Sequence, residues 1–462
     1  MTLIKSISGI RGTIGGSPGD NLTPIDAVKF AAAYGAWLKN DRKKEMYRVV
    51  VGRDARISGA MIQELVMNTL IGMGIHVIDL GLSTTPTVEI AVPMEHADGG
   101  IILTASHNPK QWNALKLLNS KGEFLNGIEG EKILNYATNE DFTFAEVDDL
   151  GKITVNDAYI DLHIEEVLAL DLVDVEAIKS ANFKVVVDGV NSTGGIAIPR
   201  LLDALGVNPV ELYCEPNGEF PHNPEPLKEH LGDICALVVK EKADLGIVVD
   251  PDVDRLAFID ETGEMFGEEY TLVACADYVL SETPGNTVSN LSSSRALRDI
   301  TRKHGGTYYA SAVGEVNVVE LMKDKEAVIG GEGNGGIIYP PSHYGRDSLV
   351  GTALFLTHLA KGNMTVSQLK ASYPAYFMSK QKIQLTPTLD VDALLEQMAA
   401  KYAHEDLSTV DGVKIDFENH WVHLRKSNTE PIIRIYTEAG SQADADRVAN
   451  EMISTIKEIA GL

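Results

Sequence analysis

Residues 99–118 read GGIILTASHNPKQWNALKLL: an apolar run with two glycines, a polar stretch from Thr104 to Gln111, then a second apolar run. Short apolar runs bounded by turn residues read as strands, so this stretch predicts a strand, an exposed loop and a second strand. The pattern returns three times, as LGIVVDPDVDRLAFID at 245–260, AVIGGEGNGGIIYP at 327–340 and WVHLRKSNTEPIIRIYTEA at 421–439. Each of the first three follows another strand with a turn-rich exit: RVVVGRDARISG from 48, KVVVDGVNSTGG from 184 and NTVSNLSSS from 286. Amphipathic stretches such as Ala60 to Met73 lie between the members of each pair. Strands alternating with helical patterns predict parallel α/β units. The chain therefore reads as α/β: three related α/β domains followed by a smaller α+β one.

The fourth unit closes with SQADADRVANEMISTIKEIA, where Ser441 and Asp444 have the spacing of a capping box and Val448, Met452 and Ile456 mark one helix face. Boundaries fall near 150, in the acidic DDLGKITVND, near 260, in DETGE, and between 372 and 386. That gives segments 1–150, 151–260, 261–372 and 373–462. The unequal spacing of the repeat makes this duplicated architecture rather than a solenoid. At 462 residues the length suits about three domains, within a range of two to four.

Forty Lys and Arg stand against 66 Asp and Glu, a net charge of −26. Nucleic acid and anionic membrane surfaces are held by a surplus of basic residues, so neither is expected as a partner. A small anionic substrate remains open wherever basic residues cluster locally. Cys214, Cys235 and Cys275 form no CxxC pair, which argues against a zinc ribbon or a disulfide framework and fits a reducing cytoplasm. The N-terminal MTLIKSISGIRG lacks the apolar segment of a signal peptide, and no run of about 18 apolar residues occurs.

The loops carry the chemistry, because α/β sheets place their sites at strand ends. Ser106, in Thr104-Ala105-Ser106-His107-Asn108-Pro109, is a candidate nucleophile or phosphate carrier; Ser, Asn and Pro also favour a plain turn. Asp250, Asp252 and Asp254 alternate along the second loop, and three carboxylates after an apolar strand would repel one another without a cation. Oxygen-only ligation suits Mg²⁺; a solvated acidic turn is the bland alternative. An EF-hand fails because Arg255 occupies the sixth position, where glycine is required. The third loop, Gly331-Glu332-Gly333-Asn334-Gly335-Gly336, offers Glu332 and Asn334 to sugar hydroxyls, but it is neither a Walker loop nor a dinucleotide fingerprint. The fourth, Arg425-Lys426-Ser427-Asn428-Thr429 with Arg434 beyond it, combines cations and hydroxyls suited to a phosphate dianion.

The order of serine loop, DxDxD loop, GExxGG loop and RxSNTEP loop resembles the α-D-phosphohexomutase superfamily over the whole chain. Ser8-Gly9-Ile10-Arg11-Gly12 and GRDAR at 52–56 also look like that family. The resemblance implies four domains around a central cleft, each giving one loop. It implies that Ser106 carries a phosphoryl group, and that Asp250, Asp252, Asp254 and the phosphoserine oxygen bind Mg²⁺. Glu332 and Asn334 then contact the sugar, while Arg425, Ser427, Asn428 and Thr429, with Arg434 nearby, hold the non-reacting phosphate. Arg11, His107, Lys116 and Arg255 fall near the phosphoserine, with Lys116 and Arg255 as candidates for proton handling or charge stabilisation. The implied substrate is a small phosphosugar, and a hexose or hexosamine 1,6-bisphosphate is the implied activator.

Phosphoryl transfer is catalysed by positioning and positive charge. In the implied cycle phosphoserine donates to one sugar hydroxyl, and the bisphosphate turns over and returns its other phosphate to Ser106. The phosphomannomutase/phosphoglucomutase branch usually shows a GExSGH pattern in the sugar loop; this chain has GEGNGG, and Glu315 where that branch often has histidine. That looks more like phosphoglucosamine mutases, a carboxylate such as Glu332 or Glu315 pairing with a 2-ammonium group. Mannose or glucose phosphates are the nearest alternative. A Mg²⁺-dependent sugar phosphatase is a further one, against which the basic fourth loop speaks, and a non-catalytic binder would not need an acidic triad beside a phosphate.

Overall fold

A computed structural model describes residues 2–6, 9–41, 43–384, 390–426 and 432–460. Its first sheet has seven strands: β1 (Ile4–Ser6), β2 (Gly9–Thr13), β3 (Tyr47–Arg53), β4 (Ile75–Leu82), β5 (Gly99–Leu103), β6 (Trp112–Leu118) and β7 (Ile153–Val155). The order is β1-β2-β6-β5-β3-β4-β7. The second holds β8 (Val185–Asp188), β9 (Pro209–Leu212), β10 (Leu245–Val249) and β11 (Leu256–Asp260), ordered β11-β10-β8-β9. The third holds β12 (Asn286–Asn290), β13 (Tyr308–Ser311), β14 (Ala327–Glu332) and β15 (Gly336–Ile338), and from its other edge reads β15-β14-β12-β13.

Within the first sheet β6-β5-β3-β4 has the same order, so one four-strand unit is built three times. In each, three strands run parallel and the fourth turns back antiparallel on the third. The expected mixed sheets are present. Helices fill the parallel connections: Gly59–Gly72 and Thr85–Met94, then Gly194–Ala204 and Gly232–Glu241, then Ala296–Lys303 and Glu315–Asp324. β5 and β10 are apolar throughout because helices cover both sheet faces, and every residue of both is buried.

The fourth sheet comprises β16 (Phe377–Gln384), β17 (Asp406–Ser408), β18 (Val413–Asp416), β19 (His420–Lys426) and β20 (Ile432–Ala439), all antiparallel in the order β16-β20-β19-β18-β17. Helix Gln442–Ala460 packs on it through Val448, Met452 and Ile456, the face expected from their spacing. Its start is capped by Ser441, whose Oγ takes the Asp444 N–H at 3.1 Å and donates to the Asp444 carboxylate at 2.7 Å. The second and third units share one core, in which Phe258 of β11 stacks on Phe355 of helix Ser348–Gly362 at 3.7 Å. The fourth unit has a core of its own. Among the described residues no helix is long and apolar enough to cross a membrane.

Candidate active site

The third-to-fourth strand turn of each α/β unit carries one loop. After β5 the backbone bends at Ser106 with φ +48°, the left-handed region that a residue with a Cβ enters at a cost. The bend is held from beneath. The Ser106 N–H donates to Thr104 Oγ1 at 2.9 Å, and Thr104 Oγ1 donates to Asp54 at 2.7 Å. Arg56, buried at the end of the GRDAR segment, donates Nε to Asp54 at 2.9 Å. Its remaining N–H groups go to the carbonyls of Ser106, Asn108, Pro109 and Trp112. The loop is thereby turned so that Ser106 Oγ donates to Asp250 Oδ2 of the second unit at 2.6 Å.

Asp250, Asp252 and Asp254 are fully buried, and one oxygen from each lies within 4.8 Å of the others. Asp250 Oδ1 takes the N–H groups of Asp254 and Arg255 at 3.1 Å each, which wraps the loop around it. Val253, at φ +65°, is the strained residue of the turn. Asp252 Oδ2 receives Thr85 Oγ1 and Lys116 Nζ, both at 2.6 Å; Asp254 Oδ2 receives Lys116 at 3.1 Å and Arg346 at 2.8 Å. The other oxygens, Asp252 Oδ1 and Asp254 Oδ1, are buried and have no hydrogen-bond partner among the described residues. Burial, then the charges of Asp252 and Asp254, push the Asp250 carboxyl well above the usual range. Crowded carboxylates with unpaired buried oxygens beside a serine oxygen are a donor set that fits a hard divalent cation.

Basic side chains hold residues of the serine and acidic loops. Burial works against the Lys116 ammonium, but Asp252 and Asp254 outweigh it and hold it charged. Arg11 donates to Asn108 at 3.3 Å; burial first, then the charge of Arg255, weakens its hold on its proton. Arg255 pairs with Glu225 at 3.1 Å. His107 places Nδ1 3.3 Å from Ser106 Oγ, and burial plus Arg255 bring its imidazole down to about 2.

Glu332, at the end of β14, accepts from Asn290 Nδ2 at 2.8 Å and the Gly314 N–H at 3.2 Å, and pairs with Arg346 at 3.1 Å. Asn334 Oδ1 takes the Gly336 N–H at 3.2 Å. Gly335, at φ +87°, carries the turn close against the second unit; its carbonyl accepts the Leu256 N–H at 3.1 Å, and a Cβ there would lie 2.2 Å from the Leu256 oxygen. In the fourth unit Arg425 and Lys382 both face Arg434 across the strands, a row of like charges of which Arg425 is paired with Asp411 at 2.8 Å. Ser427, Asn428 and Thr429 lie outside the described residues, as does Ser8.

Arg346 escaped the sequence reading. It is buried and joins three loops: the guanidinium meets Asp254, Glu332 and Glu315, and its own N–H also reaches Glu315. Glu315 is thereby committed to Arg346 at 2.9 and 3.0 Å. Glu89, fully buried near Lys116 and Glu315, was missed as well; burial, then the Glu315 charge, raises its carboxyl well above the usual range.

Four family models match in chain order. The α/β/α domains I, II and III of phosphoglucomutase/phosphomannomutase match residues 3–144, 157–263 and 267–376, and the C-terminal domain matches 382–455. The chain belongs to the phosphoglucomutase/phosphomannomutase family. It is 36% identical to a phosphoglucomutase/phosphomannomutase of Thermococcus kodakarensis over 97% of this chain and 98% of the relative. It is 31% identical to a phosphoglucosamine/phosphogalactosamine mutase of Sulfurisphaera tokodaii over 99% of both chains. The crystal structure of a phosphoglucomutase/phosphomannomutase family protein from Burkholderia thailandensis superposes with a TM-score of 0.84 at 26% identity, covering 99% of this chain and 98% of that one. As a phosphohexomutase the chain acts on small phosphosugars, and the three repeated α/β units fall within the three α/β/α domains matched.

Proposed function

We propose that this phosphohexomutase interconverts hexosamine 6-phosphate and 1-phosphate, glucosamine 6-phosphate giving glucosamine 1-phosphate, through phosphorylated Ser106 and a bisphosphorylated sugar. In the first half-reaction the Ser106 Oγ–P bond breaks as a sugar oxygen bonds phosphorus, the sugar hydroxyl losing a proton and Ser106 Oγ gaining one; the second half-reaction is the reverse at the other sugar oxygen. His107 lies 3.3 Å from Ser106 Oγ; Arg11, His107, Lys116 and Arg255 are assigned to the phosphoserine, with Lys116 and Arg255 stabilising charge as the phosphoryl group moves. Mg²⁺ held by Asp250, Asp252, Asp254 and the Ser106 oxygen would supply charge neutralisation when bound. Glu332 and Asn334 take sugar hydroxyls. Arg425, Arg434 and the 427–429 segment hold the phosphate that is not reacting. A hexosamine 1,6-bisphosphate primes Ser106.

The observation that carries the hexosamine reading is the charge beside the sugar loop: Glu332 and Glu315, with Asp254, share one guanidinium, Arg346, and leave a negative surplus for a 2-ammonium group. The name of the Sulfurisphaera relative agrees with it. Hexose phosphates are the second reading, favoured by the commitment of both glutamates to Arg346 and by the name of the Thermococcus relative. The test is a panel of glucosamine, glucose and mannose 1-phosphates assayed with Mg²⁺ and catalytic bisphosphate. The proposal expects the highest kcat/KM for glucosamine 1-phosphate; a higher value for mannose or glucose 1-phosphate overturns it.

A further inference from the structure

Asp411 stands in the turn between β17 and β18, outside every loop assigned above. Its Oδ2 accepts the Val313 N–H of the third unit at 2.9 Å and lies 2.8 Å from Arg425 Nε of its own unit. A single carboxylate oxygen therefore joins the phosphate-loop arginine to the backbone that leads into the sugar site. Val313 is followed by Gly314, whose N–H goes to Glu332, and by Glu315, whose carboxylate holds Arg346. Arg346 in turn reaches Asp254. The same turn is tied a second time: the Asp411 carbonyl accepts His423 Nε2–H at 2.7 Å, and His423 Nδ1 accepts Ser292 Oγ–H at 2.9 Å. The neighbouring Ser293 Oγ takes the Gly333 N–H of the sugar loop at 3.0 Å.

A carboxylate beside an anion-holding arginine weakens anion binding by repulsion, so its placement calls for a compensating role. The contact at Nε is an ion pair without a hydrogen bond; its charge draws the guanidinium to this side of the turn and leaves Nη1 and Nη2, the fork that grips a phosphate. We propose that Asp411 is a positioning residue that orients Arg425 toward the non-reacting phosphate and, through Val313, latches the fourth unit over the sugar loop while the bisphosphate turns. The proposal rests on the reading of Arg425 as a phosphate holder. It assigns one carboxylate two separable tasks, a charge for Arg425 and an acceptor for Val313.

Those tasks come apart by mutation. Asp411→Ala removes both; Asp411→Asn is isosteric and keeps an oxygen for Val313 while losing the charge. The measurements are KM and kcat for both monophosphates in both directions and the bisphosphate released per turnover. Asp411→Ala should raise both KM values about tenfold, a charge-assisted contact's worth, with a smaller change in kcat, and should release bisphosphate several times more often. Asp411→Asn should keep the raised KM but return bisphosphate release to near the wild-type level, a split that loss of folding does not produce. Asp411→Ala added to Arg425→Ala should raise KM little further. If Arg425→Ala impairs both directions while Asp411→Ala and Asp411→Asn leave KM and release unchanged, the role of Asp411 is overturned and the phosphate loop stands. If Arg425→Ala also leaves both directions intact, the phosphate-loop reading itself fails.

Discussion

Ser106 holds φ +48° because Arg56 spends its donors on Asp54 and four loop carbonyls beneath it. Removing that guanidinium strands a buried carboxylate, so Arg56→Met should cost about 3–5 kcal/mol in denaturant unfolding and lower kcat with it; a change below about 1 kcal/mol would show that the cage is dispensable. Lone polar residues such as Asp250, Asp252 and Asp254 were legible in sequence because their spacing is local and their repulsion predictable. Arg346 and Asp411 were not, since Asp254 is 92 positions from the one and Val313 is 98 from the other. Only the fold brings such partners together. Glu269 offers a pH test. Burial pushes its carboxyl up to about 8 from the ordinary 4.5, against the pull of Lys380. Between those values the folded chain keeps a proton that the unfolded chain releases, so stability falls as pH rises through that window. Glu269→Gln keeps the shape and removes the titration. Its Tm should gain on wild type steadily from pH 5 to pH 8; parallel Tm curves would show that Glu269 is not so perturbed.

At the level of elements, the turn that joins β14 to β15 shows what the glycines of GEGNGG do. Gly335 adopts φ +87°, with the Leu256 oxygen 2.2 Å from where a Cβ would stand. Gly335→Ala should cost about 1–3 kcal/mol through strain, and should raise KM for the sugar phosphate because Glu332 and Asn334 flank the same turn. Unchanged stability and KM would mean that the turn can shift without harm. The strand–loop–strand pattern was readable because apolar runs buried on both faces leave a continuous signature. The strand β7, with all three residues exposed, left almost none, yet it lies beside β4 on the edge of the first sheet.

Across the whole molecule the cores divide unevenly. The second and third units share one, while the fourth unit keeps its own and meets the third through polar contacts such as Arg295 with Asp416 at 3.1 Å. Phe355→Ala and Ile456→Ala should each cost about 2–5 kcal/mol, but in different cores. Calorimetry should show the first lowering the transition of the shared core and the second that of the fourth unit; one transition moved equally by both would deny the division. A fourth unit with a core of its own is suited to the motion the proposed turnover of a bisphosphate would use. Passage of phosphate through Ser106 is the central step of the proposed function. The direct measurement is transfer of label from hexosamine 1,6-bisphosphate radiolabelled in its phosphates, followed by peptide mapping and a chase with unlabelled monophosphate. Label should enter the Ser106 peptide, add about 80 Da by intact mass, chase into sugar phosphate, and fail to enter Ser106→Ala. Label that passes to inorganic phosphate, or that enters Ser106→Ala as readily as the wild type, would contradict it.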